Sequence, residues 1–255
     1  MGNIVLNQEN IDNRYMNTLG PYPLNSITPF YSNPLVTVYD CDFRTVELPT
    51  AGLVITDPPY NIGFDYDIYR DNLPDNDYIK MISELGAFTR VVIIHYPEET
   101  AKFVIPALGP AQHYSSWCYN APIPRRFRLI SYYGCTPDYS RIKQPYKNLK
   151  DKRIKLRLAE GSKGAGLYEW WNDIELVKNV SPEKKNGHPC PIPTSLAKRL
   201  IILCANPGDT IIDPFAGSLT VLKAAQDLSY KSIGCEISQD YIKAAIPRLA
   251  QMPIL

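Results

Sequence analysis

Short, solid apolar runs punctuate the chain at residues 35–39, 53–56, 91–96, 210–213 and 232–236, each bounded by polar or turn-forming residues. Runs of this length read as strands covered on both faces, as in a parallel sheet. The run at 91–96 is almost wholly apolar and marks a central strand. Elsewhere the apolar spacing lengthens to three and four. Tyr78, Met81, Ile82 and Leu85 line one face of a helix predicted over 77–89, and Leu196, Leu200, Ile201 and Leu203 do so over 194–204. Further helices are expected at 100–108, stopped by Gly109-Pro110, and at about 219–228. Strands alternating with helices predict an α/β fold, doubly wound around a mostly parallel sheet. The strands at 35–39 and 53–56, joined by a brief link, are expected to be parallel neighbours. Residues 1–34, rich in Asn, Pro and Tyr and without periodicity, read as an irregular N-terminal arm against the body or a partner.

At 255 residues and 45% hydrophobic content the chain can bury a full core, and one domain with an insertion is the expected organisation. The six cysteines are scattered, without a C-x-x-C pair or a nearby His that would suggest zinc, so a reduced, cytoplasmic protein without a metal is expected. No apolar run approaches membrane-spanning length, and the first residues lack a charged stretch followed by a hydrophobic one. Leu6 stands where a myristoylation signal needs Ser or Thr.

A net charge of +1 conceals a strong asymmetry. Residues 1–100 hold five basic residues (Arg14, Arg44, Arg70, Lys80, Arg90) against fourteen acids, whereas residues 121–157 hold eleven basic residues against only Asp138 and Asp151. Tyr132, Tyr133, Tyr139 and Tyr146 interleave the basic stretch. Cations mixed with flat rings suit a phosphate backbone and unstacked bases; the plainer alternative is a solvated basic face or a loop. This stretch has the loop-rich composition of an insertion.

The most informative segment is Leu53 to Gly63, in which a strand runs into Asp57-Pro58-Pro59-Tyr60. Two prolines fix φ, and a proline keeps its carbonyl while lacking an N–H. The turn therefore offers the Asp57 carboxylate and the Pro58 carbonyl as adjacent acceptors. An exocyclic amino group has two hydrogens to satisfy, and holding both aims its lone pair at an electrophile, while Tyr60 offers a face for a flat base. A simple surface turn is the competing reading.

A second constellation lies near the C-terminus. A strand ending at Asp213, the small-residue loop Pro214-Phe215-Ala216-Gly217-Ser218, a helix, and a strand ending at Glu236 form a nucleotide-binding βαβ pattern. The G-x-G-x-x-G fingerprint is absent, which favours a cofactor without phosphates; a βαβ unit without a ligand is the alternative.

Together, Asp57-Pro58-Pro59-Tyr60, the later Asp213-Pro214-Phe215-Ala216-Gly217-Ser218 and the intervening His188-Pro189 resemble the S-adenosylmethionine-dependent DNA amino-methyltransferases in the β arrangement of their motifs. The resemblance runs from about residue 36 to 245. It implies a Rossmann-like class I methyltransferase domain over 35–255, with 113–180 as an inserted target-recognition region. It implies Asp57, Pro58, Pro59 and Tyr60 as the catalytic motif. Asp213, Phe215, Ala216, Gly217 and Ser218 would line the methionine side of S-adenosylmethionine, with His188 and Pro189 near it, Glu236 on the ribose, and Asp42, or its rival Asp40, near the adenine. His188 has the alternative role of a helix-entry residue bonded to backbone. Arg125, Arg126, Arg128, Arg141, Lys143 and Lys147 would meet DNA, and Trp117, Trp170 and Trp171 are assigned to packing or an interface. Asp at the head of the motif leans toward adenine N6 over cytosine N4. Implied partners are DNA, a second copy of the chain and a cognate restriction endonuclease.

One departure stands out. The family usually reads Phe-x-Gly-Ser-Gly-Thr, and this chain has Leu219 at the second glycine. If Leu219 lies in the first helical turn its φ is negative and the substitution costs little; if the cofactor needs bare backbone there, the side chain intrudes. Loss of turnover, leaving a nucleic-acid-binding subunit, is therefore the main competing function. The same chemistry on RNA is a second alternative, and a nicotinamide dehydrogenase a distant third.

Overall fold

The computed structural model describes residues 3–4, 28–178 and 187–250. In chain order the strands and helices are β1 (Asn3–Ile4), β2 (Tyr31–Ser32), β3 (Val36–Asp40), β4 (Leu53–Thr56), α1 (Asp75–Ser83), β5 (Arg90–His95), α2 (Pro97–Glu99), α3 (Ile105–Leu108), β6 (His113–Cys118), β7 (Phe127–Tyr133), β8 (Lys143–Gln144), α4 (Lys152–Ala159), β9 (Ala165–Gly166), β10 (Trp170–Trp171), α5 (Thr194–Cys204), β11 (Thr210–Asp213), α6 (Thr220–Asp227), β12 (Lys231–Glu236) and α7 (Gln239–Ala250). A π turn (Thr100–Val104) joins α2 to α3, next to Pro106, which lacks the N–H an uninterrupted α-helix needs.

The main sheet runs β1-β2-β3-β12-β11-β4-β5-β7-β6-β10. Its centre, β3 through β5, is parallel throughout. Period two explains the apolar runs. Leu53, Ile55, Val92 and Ile94 face one core with Leu196, Leu200 and Leu222, whereas Val54, Val91 and Ile93 face the other with Tyr78, Met81 and Phe103. Both faces are covered, so neither needs polar residues.

Three expectations change. First, β3 and β4 are not neighbours, because β12 and β11 lie between them. The link over residues 41–52 holds only a 3-10 turn (Phe43–Thr45) and no crossover helix; the C-terminal strands supply the pairing instead. Second, the basic region, although rich in loop, carries a regular strand that residue order hides. β7 pairs antiparallel with both β5 and β6 and buries Ile130 and Tyr132, while Arg128 on the same strand disguises it in the sequence. Third, the polypeptide ends its described part in α7, which sequence spacing did not suggest. Within the N-terminal arm, β1 and β2 add antiparallel pairings beside β3, and residues 1–2 and 5–27 lie outside the described residues. Among the described residues no helix is long and apolar enough to cross a membrane, and all six cysteines are free thiols.

Candidate active site at the carboxyl edge of the sheet

Four adjacent parallel strands finish in carboxylates. β3 ends at Asp40, β12 at Glu236, β11 at Asp213, and β4 runs directly into Asp57. The register sets Asp40 opposite Glu236, whereas Asp42 lies beyond the strand and is held by Arg44, with Nε 2.9 Å from its Oδ1. Gln239 Nε2 donates to Asp40 Oδ2 at 2.6 Å.

Pairing of β4 with β11 joins the two sequence constellations. Thr56 Oγ1 donates to Asp213 Oδ1 at 2.8 Å, and the Phe215 N–H donates to the same oxygen at 3.2 Å. Burial pushes the Asp213 carboxyl up to about 7, against the pull of those two donors. The loop then folds back on β12, with the Ala216 N–H donating to Cys235 O at 2.9 Å and the Gly217 N–H to Glu236 Oε2 at 2.7 Å. Ser238 N–H donates to Glu236 Oε1 at 2.8 Å. A carboxylate has about four acceptor sites, so Glu236 retains capacity for ligand hydroxyls. Burial raises its carboxyl, and these N–H groups counter the rise.

Gly217 has φ +46°, and a Cβ there would fall 2.8 Å from His188 Nε2. Only glycine leaves the loop backbone bare beside that ring. His188 Nδ1 accepts from the Cys190 N–H at 3.3 Å, and the ring packs edge-on against Tyr241 with centroids 4.7 Å apart. Phe215 meets Phe43 edge-on at 5.1 Å. The Ser218 hydroxyl is 2.9 Å from that of Thr220. Leu219 has φ +55° and ψ +26°, so it is left-handed and precedes α6, contrary to the negative φ considered for a first-turn residue. The loop keeps a backbone shape natural to glycine, and the side chain goes into the larger core at 1% exposure. Leu219 therefore does not fill the edge where the carboxylates gather.

The Asp57-Pro58-Pro59-Tyr60 turn is tightly enclosed. Tyr60 donates its hydroxyl to Asp57 Oδ1 and accepts from Arg128 Nε at 3.0 Å. One face of its ring stacks on His95, with centroids 4.2 Å apart and planes 28° apart, and Tyr96 meets it edge-on at 5.0 Å. Arg128 lies over the Tyr96 ring, its Cζ 3.6 Å from the centroid, and donates to the Tyr119 hydroxyl. Burial raises the half-buried Asp57 carboxyl to about 6, while the Tyr60 hydroxyl and the Arg128 charge draw it down. Behind the turn, Tyr78 donates to Pro59 O and pairs with His95 Nε2 at 3.0 Å. Burial lowers His95 to about 3, which keeps it neutral.

The loop after the turn reaches back to the C-terminal half. Asp71 Oδ1 accepts from the Asn61 N–H at 2.6 Å, and Oδ2 from those of Ile62 and Phe64 at 3.1 and 3.0 Å. The Asp67 N–H donates to the Tyr241 hydroxyl at 3.0 Å, and Ser238 Oγ donates to Asp67 Oδ2 at 2.6 Å. The Asp57–Tyr60 turn, the loop after it and α7 thus surround the same edge.

The basic residues singled out from the sequence divide into two groups. Arg125 forms a two-point ion pair with Glu99 at 2.8 Å per contact, and Arg141 donates to Ala205 O at 2.6 Å at the end of α5. With Arg128, these are committed to partners in the fold. Arg126, Lys143 and Lys147 are exposed, as are Lys152, Arg153, Lys155 and Arg157 of α4. Lys147 lies over the stacked rings of Tyr168 and Trp170 at 4.8 and 4.9 Å. Trp117 and Trp171 are buried core residues, and Trp170 is 47% exposed. Sequence reasoning missed Asp71, Tyr78, His95, Tyr96 and Tyr119 as neighbours of the site. A lone His closing an apolar run was the available signal for His95; Tyr78 was hidden by its fit to an apolar helix face.

A family model described as DNA methylase matches residues 83–247. The chain is 29% identical over 231 residues to Type II methyltransferase M.HpaI of Haemophilus parainfluenzae, covering 81% of this chain and 70% of that one. It is 43% identical over 77 residues to DNA adenine methyltransferase YhdJ of Escherichia coli (strain K12), covering 30% and 26%. Among solved structures, PvuII DNA methyltransferase (cytosine-N4-specific) superposes with a TM-score of 0.64 at 15% identity, covering 90% of this chain and 92% of that one.

Proposed function

Because the chain belongs to the DNA methylase family, we propose that it transfers a methyl group from S-adenosylmethionine to N6 of adenine at specific sites in DNA. The observation that carries this reading is the Thr56–Asp213 hydrogen bond, which holds the acceptor-bearing turn against the small-residue loop.

The carboxyl edge fits the cofactor. Asp40, Glu236, Asp213 and Asp57 would repel a phosphate but suit a molecule with a sulfonium cation, an ammonium and ribose hydroxyls. Bare backbone at Gly217 opens the loop to close approach. Phe215, Ala216 and Gly217, with Asp213, Ser218, His188 and Pro189 around them, would hold the methionine side, Glu236 the ribose, and Asp40 or Asp42 the adenine. When bound, S-adenosylmethionine supplies an electrophilic methyl group.

The remaining tasks belong to the protein. The Asp57 carboxylate accepts one amino hydrogen and the Pro58 carbonyl the other, which draws the nitrogen lone pair out of the ring and aims it. The Tyr60 hydroxyl bonds to Asp57 Oδ1, so an amino N–H accepted at that oxygen replaces an O–H. With its carboxyl at about 6, Asp57 is ionised at pH 8 and can take up the proton the amine sheds. Arg128 and Tyr96 border Tyr60 and shift to admit the base. Arg126, Lys143, Lys147 and the cations of α4 hold phosphates, and the segment 113–180 reads the target.

Adenine is favoured over cytosine by the Asp that heads the motif and by the local similarity to an adenine methyltransferase. Asp57→Ala is the direct test of the acceptor role. It is expected to abolish methyl transfer to DNA while calorimetry shows cofactor binding within about twofold of wild type. Full activity in that variant would overturn the assignment.

A further inference from the structure

Beneath the catalytic turn lies a polar pair that plain packing does not call for. His95 and Tyr78 are both fully buried, at 0% exposure. Two phenylalanines would fill similar space without the cost of desolvating an imidazole and a phenol. Building on the methyl-transfer reading above, we infer that His95 and Tyr78 are positioning residues that aim the Pro58 carbonyl at the target amino group.

The hydrogens on this pair can be placed one by one. Tyr78 has one hydroxyl hydrogen and gives it to Pro59 O. The 3.0 Å contact between its oxygen and His95 Nε2 then needs the hydrogen on that nitrogen, which fixes the ring as the Nε2–H tautomer. Burial keeps the ring neutral, against a Tyr96 backbone contact that pulls it upward. The anchor is stiff, because His95 ends β5, which pairs with β4 over residues 90–93 and with β7 out to His95 itself, opposite Leu129.

The geometry of proline converts this anchor into aim. The peptide plane carrying the Pro58 carbonyl and the plane carrying the Pro59 carbonyl meet at the Pro59 Cα, where ring closure fixes φ. Only ψ of Pro59 remains to relate them. Tying the Pro59 carbonyl into the core therefore leaves that one torsion to direct the Pro58 carbonyl. A second clamp acts on the next residue, since the His95 ring stacks on that of Tyr60 at 4.2 Å. One imidazole thus steadies both the carbonyl that accepts an amino hydrogen and the ring that borders the base.

The test is steady-state methyl transfer to duplex DNA by the full chain, comparing wild type with Tyr78→Phe, His95→Phe and His95→Gln, with thermal melts on each. Tyr78→Phe and His95→Phe are expected to lower kcat about ten- to a hundredfold, with KM for cofactor and DNA within about twofold and Tm lowered by only a few degrees through the polar groups left unpaired. His95→Gln restores a donor toward Tyr78 and is expected to recover part of the loss. In parallel, 15N spectra of labelled histidine should show His95 neutral and protonated on Nε2 from pH 5 to 8. Wild-type kcat in Tyr78→Phe, a loss matched by falling Tm and rising KM, or a His95 that titrates in that range overturns the inference. A wild-type chain that methylates no DNA instead contradicts the reading on which it rests.

Discussion

Thr56 donates its hydroxyl to Asp213 across the β4–β11 pair at 2.8 Å, linking residues 157 positions apart in the sequence. Thr56→Val keeps the shape and removes the donor, leaving a buried carboxylate with one fewer partner. It is expected to cost about 1–3 kcal/mol of stability, to raise the Asp213 carboxyl above about 7, and to weaken cofactor binding. Denaturant titration and calorimetry at pH 8 check these outcomes; unchanged stability and affinity would show that the tie is dispensable.

Asp57 should set an acid limit on turnover. With its carboxyl at about 6, kcat should fall as pH drops below that value, because a protonated carboxyl no longer accepts on both oxygens or takes up a proton. Asp57→Asn retains one acceptor oxygen, so it should keep residual activity and lose the limb near pH 6. A limb that persists in this variant belongs to another group.

The same shift predicts an opposite trend in stability. Folded-state values of about 6 for Asp57 and about 7 for Asp213 lie above the roughly 3.9 of an unfolded chain. The folded protein therefore binds more protons between these limits, and the contribution of both groups to stability falls as pH rises from about 4 to 7. Asp57→Asn is expected to gain on the order of 1–2 kcal/mol at pH 8, a value discounted for the partial exposure of the carboxyl, with no gain at pH 4. Chemical denaturation at the two pH values measures the difference.

Arg128 holds down the Asp57 carboxyl by its charge. Arg128→Ala should move the acid limb of kcat upward from about pH 6, a displacement that loss of a phosphate contact alone would not produce. A lower DNA affinity with an unmoved limb would assign Arg128 to DNA contact only.

Leu219 tests how the loop tolerates a non-glycine residue. Its left-handed backbone costs about 1–2 kcal/mol, whereas losing a buried leucine side chain costs about 2–5 kcal/mol. The lost burial outweighs the relieved backbone, so Leu219→Gly should lower stability by about 1–3 kcal/mol and leave cofactor affinity within about twofold. A large gain in affinity would mean that the leucine obstructs the cofactor.

Much of this was readable from residue order, and the failures have physical causes. β4, β11 and α5 lie at the residues their apolar spacing indicates, because both-face burial and a helical stripe leave strong local patterns. The adjacency of β4 and β11 was not legible, since pairing partners so distant in sequence leave no periodic trace. β7 escaped because Arg128 points to the site from within a strand and reads as part of a basic loop. Arg125 and Arg141 read as DNA contacts from charge alone; their engagement with Glu99 and with the end of α5 depends on tertiary proximity. Leu219 takes a left-handed backbone that its residue type does not announce.

The central claim is that the turn at Asp57 presents a DNA amino group to a methyl donor held at the Asp213 loop. Incubation of the full chain with methyl-labelled S-adenosylmethionine and DNA of mixed sequence, followed by digestion to nucleosides, measures this most directly. The predicted result is label in N6-methyladenine, lost with Asp57→Ala. Label confined to N4-methylcytosine would contradict the base assignment, and DNA without label would contradict the claim itself.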